Sequence, residues 1–159
     1  MIERYAPAAR RLARSVLEHA DDADVAAQDG FLSAWRGLSR FDSERPFGPW
    51  LLRIVVNAAQ DLRRRRTVRS AESLRGHMPE MQASPALAAE QAEQRDQIGT
   101  ALAELPERQR LAVVLFDVEG FSHAEIAEVL GVPVGTARSD LFHGRRALRE
   151  RLGIREGTS

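Results

Sequence analysis

Lysine and cysteine are both absent from this chain of 159 residues. Without cysteine there are no disulfides, no thiolate zinc sites and no thiol nucleophile. Without lysine there is no phosphate-loop lysine and no Schiff-base amine. Aromatic residues are scarce, at 6% against 43% hydrophobic overall, so the expected core is mostly aliphatic. No apolar run approaches the roughly 20 residues that span a bilayer, and the N-terminus lacks a signal-peptide pattern. A cytoplasmic protein with no membrane insertion is the expectation. His19, His77, His123 and His143 are scattered and show no metal-ligand spacing. No catalytic residue, metal site or cofactor is expected, and the chain does not read as an enzyme.

Arginine is what the chain has instead. All 23 basic residues are arginine, balanced by 23 acidic ones to a formal net charge of +0. The balance hides a polarised C-terminal half. Glu104, Glu107, Asp117, Glu119, Glu125 and Glu128 face only Arg108 and Arg110 in one stretch, whereas Arg138, Arg145, Arg146, Arg149, Arg151 and Arg155 face only Asp140 and Glu150 in the next. A local field of this kind attracts a polyanion even when the net charge is zero.

The basic stretch lies in a helix-turn-helix pattern. Ser122 and Glu125 have capping-box spacing and start a helix whose apolar residues are Ile126, Ala127, Val129 and Leu130. Gly131 ends it, and Pro133 suits the first turn of the next helix. That second helix has an apolar stripe of Ala137, Leu141, Leu148 and Leu152. A short helix, a glycine turn and a longer basic helix is an arrangement that lays side chains in a DNA major groove.

The remainder is also helical in pattern, giving an all-α chain of two small helical domains joined by a flexible linker. Residues 1–66 form the first domain. Leu12, Ala13, Val16 and Leu17 alternate with Arg10, Arg11 and Arg14 in one helix, and Asp21, Asp22 and Asp24 open a second. Phe41–Pro49 is a loop by its Pro, Gly and Ser content. Leu51, Ile54, Val55, Ala58 and Leu62 mark a third helix, which runs into Arg63–Arg66. Residues 67–84 read as the linker. Residues 85–159 form the second domain, whose first helix leads into Pro106. Periodicity assigns Phe31, Leu32 and Trp50 to the core and leaves Trp35 open.

Both halves resemble one family, the extracytoplasmic-function sigma factors of bacterial transcription. LPERQR at Leu105–Arg110, DVEGFSHAEIAEVLGVPVGTARS at Asp117–Ser139 and RRALRERL at Arg145–Leu152 resemble its minus-thirty-five-binding domain. DADVAAQDGFLSAWRGLSRF at Asp22–Phe41 and PFGPWLLRIVVNAAQDLRRRR at Pro46–Arg66 resemble its domain for core polymerase and the minus-ten element. The resemblance implies an initiation factor that binds core RNA polymerase and promoter DNA, aids melting, and is restrained by an anti-sigma factor. It implies polymerase contacts from Asp24, Gln28, Asp29, Leu32 and Trp35. It implies minus-ten contacts from Arg40, Ser43, Arg45, Arg53, Asn57, Arg63 and Arg64, with Asn57 reading a base edge. For the upstream element it implies Thr136, Arg138, Ser139, Phe142, His143, Arg145, Arg146 and Arg149, where arginine can pair with guanine and Phe142 can pack on a thymine methyl.

The chain departs from the family pattern at three positions. Val25 replaces a usual aspartate on the polymerase-binding helix. Asp140 and His143 stand where arginine is common on the recognition helix. A carboxylate near phosphate is repulsive unless it pairs with Arg138 or Arg145 or accepts from a cytosine amino group. Two other readings remain open at this point: a helix-turn-helix regulator that works without polymerase, and a sigma-like interaction protein with no initiation activity.

Overall fold

The computed structural model describes residues 2–72 and 89–153, and every regular element among them is helical. Three helices build the N-terminal unit: α1 (Ile2–Val16), α2 (Ala20–Gly37) and α3 (Phe47–Glu72). Four more follow: α4 (Ala89–Ala103), α5 (Glu107–Val113), α6 (His123–Leu130) and α7 (Val134–Leu152). A 3-10 turn (Leu38–Arg40) follows α2, and one π-helical segment (Val114–Val118) extends α5.

Small residues bring the N-terminal helices close together. Ala9, Ala13, Ala23, Ala26 and Ala59 are buried with Leu12, Leu52 and Val55. Gly30 sits where α2 crosses α3, and a Cβ there would lie 2.8 Å from Val55 Cγ2 and 2.9 Å from Val55 Cα. The second of these is backbone, which cannot swing aside. The arginines of α1 alternate with its buried side: Arg10, Arg11 and Arg14 are exposed, whereas Leu12, Ala13, Val16 and Leu17 are buried.

The C-terminal unit packs α5, α6 and α7 together, with α4 against α7. Leu111, Leu115, Ile126, Val129, Ala137 and Leu141 fill its centre, and Leu148 packs on that core from the side. The Ser122 hydroxyl accepts from Glu125 N–H, and the Glu125 carboxylate accepts from Ser122 N–H, which completes the capping box. Gly131 ends α6 at φ 68° and ψ 37°, and Val132 N–H reaches back to the Ala127 carbonyl at 3.1 Å. This left-handed closure is why glycine occupies the turn between α6 and α7. Pro133 precedes the first residue of α7 as its N-cap.

The two units lie against each other. Helix α3 packs on α6, and α1 touches α5. Arg110 adds a polar tie, donating to the carbonyls of Leu102 and Leu105, each at 2.9 Å, and to that of Ser15 at the end of α1. Burial lowers its pKa; the neighbouring Glu107 opposes that shift and Arg63 adds to it.

Two expectations need adjustment. Leu32 is not a core residue; it is 55% exposed, because α2 turns its alanine side to α1 and α3. Helix α3 continues to Glu72, so residues 67–72 of the expected linker are helical, and the rest of it, with His77, lies outside the described residues. The buried core is mostly aliphatic, as expected, and at its edge Tyr5, Phe41, Phe47 and Trp50 cluster with ring centroids 4.7 to 5.8 Å apart. Phe31, as expected, packs against the core.

The Gly30→Ala variant is expected to lose about 1–3 kcal/mol of stability, because the added methyl meets Val55 backbone. Chemical unfolding of the variant beside the parent measures this, and an unchanged midpoint would show that α2 can move away from α3 at no cost.

Candidate nucleic-acid and polymerase interfaces

Helix α7 presents two different sides. Ala137, Asp140, Leu141 and Gly144 are buried, whereas Arg138, Ser139, Phe142, His143, Arg145 and Arg146 are exposed, and Thr136 and Arg149 are half-buried. Helical spacing puts Arg138, Phe142, Arg145 and Arg149 on one side, with Ser139, His143 and Arg146 beside them. Phe142 is 57% exposed, so it lies on the outer side, as expected from Leu141 taking the inward position. Its ring meets the His143 ring edge-on at 5.4 Å. Arg138 makes no ion pair among the described residues.

The other arginines of α7 are partly occupied. Arg145 pairs with Asp117 at 3.4 Å and lies over the Phe116 ring at 5.4 Å; His123 stacks on that same ring at 5.5 Å. Arg146 pairs with Glu150 one turn on, at 3.4 Å. Arg149 donates to the Arg145 carbonyl at 3.3 Å. These contacts are exposed and exchangeable, so they orient the guanidinium groups without removing them from solvent.

Asp140 is placed differently from the expectation. It pairs with neither Arg138 nor Arg145; it is 8% exposed and turned toward α5. There Arg108 Nε donates to one carboxylate oxygen at 2.7 Å and Arg108 Nη2 to the other at 3.4 Å. The position falls in the buried stripe of α7, three residues after Ala137 and one before Leu141. The carboxylate thereby faces a cation inside the unit and is kept away from the exposed side.

The second candidate surface runs from the end of α2 to α3. Arg40 ends the 3-10 turn, and Ser43, Glu44 and Arg45 are exposed on the following loop. The loop is folded, with Glu44 N–H donating to Asp42 Oδ1 at 3.0 Å and Arg45 N–H to the Asp42 carbonyl at 3.0 Å. The four-ring cluster pins both of its ends, since Phe41 precedes the loop and Phe47 and Trp50 follow it. Sequence reasoning missed this cluster because Tyr5 contributes from another helix, 36 positions or more away in the chain. Arg53 and Asn57 are exposed on α3, one turn apart. Asn57 borders a groove of about 420 Å³ between α2 and α3, together with Asp29, Leu32, Arg36, Asp61 and Arg65. Arg63 pairs with Glu107, Arg64 with Asp61, and Arg66 with Asp22 at 3.1 Å.

A third surface is the outer side of α2. Val25, Leu32 and Trp35 are 42%, 55% and 67% exposed. Asp24 and Gln28 are exposed with them, Asp29 is half-buried, and among the described residues Asp24 makes a long 3.9 Å contact with Arg10. Val25 therefore extends an apolar strip on a helix that is acidic at its start.

Comparison with known proteins follows this division. The model described as Sigma-70 region 2 matches residues 1–69, and the model described as Sigma-70, region 4 matches residues 95–148. The ECF RNA polymerase sigma factor SigM of Mycobacterium tuberculosis is 39% identical over 143 residues, covering 90% of this chain and 70% of that protein. The RNA polymerase sigma-H factor of Pseudomonas aeruginosa is 35% identical, covering 84% of this chain and 74% of that protein. Among solved structures, the sigma factor RpoE in complex with the anti-sigma factor NepR from Bartonella quintana superposes with a TM-score of 0.77 at 26% identity, over 96% of this chain and 94% of that one. CnrH, in complex with the cytosolic domain of CnrY, gives a TM-score of 0.68 at 30% identity, over 96% of this chain and 84% of that one.

Removing the Arg108 side chain is expected to destabilise the C-terminal unit by about 1–3 kcal/mol, since Asp140 would stay buried without a cation. Arg108→Ala combined with Asp140→Ala should recover part of that loss. Thermal unfolding of the two single variants and the double variant measures the coupling, and strictly additive losses would mean the pair contributes nothing.

Proposed function

The chain belongs to the extracytoplasmic-function sigma factors of the sigma-70 family, and on that premise we propose a division of labour among its three exposed surfaces. The protein is a transcription initiation factor: it binds core RNA polymerase and directs it to promoters. Helix α7 reads the minus-thirty-five element in duplex form. The loop after α2 and the exposed side of α3 engage the minus-ten element as it opens. The outer side of α2 docks on polymerase. The protein does no covalent chemistry itself, and it acts in the cytoplasm, where the polymerase is. The observation that carries this reading is the separation of three chemically different faces onto α7, α3 and α2.

On α7, Arg138 and Ser139 are proposed to read base edges, Phe142 to pack on a thymine methyl and His143 to lie beside it. Thr136, Arg145, Arg146 and Arg149 bind phosphates and set the register of the helix in the groove. In the N-terminal unit, Asn57 reads an unstacked base along the groove between α2 and α3, and Ser43 offers a hydroxyl from the loop. Arg40, Arg45, Arg53, Arg63 and Arg64 neutralise phosphates around it, which makes the step salt-sensitive. On α2, Asp24, Gln28 and Asp29 supply polar contacts around Leu32 and Trp35, an amphipathic surface suited to a basic helical partner. A separate anti-sigma protein that covers these surfaces is the expected restraint on the factor, in keeping with the likeness to RpoE, which was solved in complex with the anti-sigma factor NepR. The proposed boundaries are residues 1–66 for the downstream reader and 85–159 for the upstream reader, with residues 67–84 between them and helix α3 running on through the first six of these to Glu72.

Reconstituted transcription with sigma-free core polymerase and a genomic promoter library tests the whole reading. Transcripts sharing two spaced upstream motifs are expected, and failure to bind core polymerase would sink it. Arg138→Ala is expected to relax selection at one base pair of the upstream motif by about 1–3 kcal/mol; equal weakening on every sequence would exclude base reading. Asn57→Ala should slow open-complex formation while leaving duplex binding intact, and normal opening kinetics would remove Asn57 from the reading surface.

A further inference from the structure

The seam between the two units carries a one-way pattern of charge. Arg11 places both Nε and Nη2 within 2.6 Å of Glu119 Oε1. Arg45 Nη2 meets Glu128 Oε1 at 2.5 Å. Arg63 pairs with Glu107, whose carboxylate also accepts from Gln60 Nε2 at 3.1 Å. In each of these pairs the cation belongs to the N-terminal unit and the carboxylate to the acidic stretch that precedes α7. The carboxylates are the more buried partners, down to 7% exposure for the Glu119 side chain, while all three arginines are about half exposed. Arg53 follows the same direction: its Nη2 lies 3.0 Å from where a Cβ on Gly131 would be, against the turn between α6 and α7.

The apolar part of this seam is incomplete. A cleft of about 370 Å³ opens along it, bordered by Val56, Asn57 and Gln60 on α3 and by Arg108, Val129 and Asp140 on the other side. The ion pairs rim this cleft beside a hydrophobic core that runs through both units, with Val56 and Ala59 in the same buried cluster as Leu111, Ile126 and Val129. The side chains this rim engages belong to the surface assigned above to the minus-ten element: Arg45, Arg53 and Arg63 are proposed phosphate ligands, and Asn57 borders the cleft. The exposed side of α7 is left open.

We propose that the acidic stretch of the C-terminal unit is an intramolecular stand-in for the DNA backbone. In the closed chain Glu107 and Glu128 occupy the guanidinium groups that phosphates would otherwise take, and Glu119 on Arg11 locks the far end. The downstream reader is masked while the upstream reader stays available. Opening exchanges two internal carboxylates, Glu107 and Glu128, for phosphates and releases a third, Glu119, so it is promoted by salt and by neutralising the glutamates. The masking half of this proposal rests on the assignment of α3 made above; the latch itself does not.

The absence of cysteine makes the test direct, since dyes on Glu18→Cys and Glu150→Cys, both exposed, label one unit each. Energy transfer is followed in the full chain from about 50 mM to about 1 M salt, for the parent and for the triple variant Glu107→Gln, Glu119→Gln, Glu128→Gln. The triple variant is expected to open at lower salt than the parent. It should also bind a single strand carrying the minus-ten element about tenfold more tightly, with affinity for an upstream-element duplex unchanged. Transfer that is the same for both proteins at every salt concentration would overturn the latch. Opening with no gain on the single strand would overturn the masking and, with it, the phosphate roles of Arg45, Arg53 and Arg63. Circular dichroism checks that the variant keeps its helices. The exchange Arg45→Glu with Glu128→Arg gives a second reading: each single change should lower transfer and the pair should restore it, and no restoration would count against a direct ionic contact.

Discussion

A carboxylate withdrawn from water must be met by a cation or by several donors, and four carboxylates of the C-terminal unit are in that position. Glu107, Glu119, Glu128 and Asp140 are all largely covered, and each is met by arginine. The arrangement of the molecule follows from where those arginines lie. Arg108 lies in the same unit, so Asp140 fixes the rotation of α7 on α5. Arg11, Arg45 and Arg63 lie in the other unit, so their partners fix how the two halves meet. The planar, multiply donating guanidinium suits both tasks, and this chain has no lysine to offer instead.

The rotation of α7 decides which side chains a groove would meet. With Ala137, Asp140, Leu141 and Gly144 inward, Arg138, Ser139, Phe142 and His143 can only be outward. The replacement of a usual arginine by Asp140 therefore does not put a negative charge on the reading face. It adds a tie beneath that face. The π-helical segment after α5 has a related effect, since Phe116 within it supports both His123 at the start of α6 and Arg145 on α7. The capping box and the Gly131 closure then hold the angle between α6 and α7 from the other side.

In the N-terminal unit close helix packing does the corresponding work. Alanine and Gly30 let α1, α2 and α3 approach, and of the larger apolar residues of α2 only Phe31 packs on the core while Val25, Leu32 and Trp35 are left outside. Leu32, Trp35 and Val25 thus form an apolar strip that the fold does not use, which is the physical basis for a docking surface there. The ring cluster of Tyr5, Phe41, Phe47 and Trp50 holds the ends of the polar loop between α2 and α3, so its charged residues are presented from an anchored base.

Local interactions were legible in the sequence because they depend on neighbours a few positions apart. The helices, the Ser122–Glu125 cap, the glycine turn, the inward Leu141 and the outward Phe142 all follow from spacing and residue type. The polarity of charge along the C-terminal half was equally plain. What spacing alone does not determine is which of two apolar residues on a helix faces a partner helix, or which arginine answers a given acid. Leu32 faces solvent because the alanine side of α2 packs more closely. Asp140 is buried because Arg108, 32 residues earlier, reaches it. The seam joins residues 44 to 108 positions apart. Such pairings depend on how whole helices stack in space, and only the tertiary structure decided them.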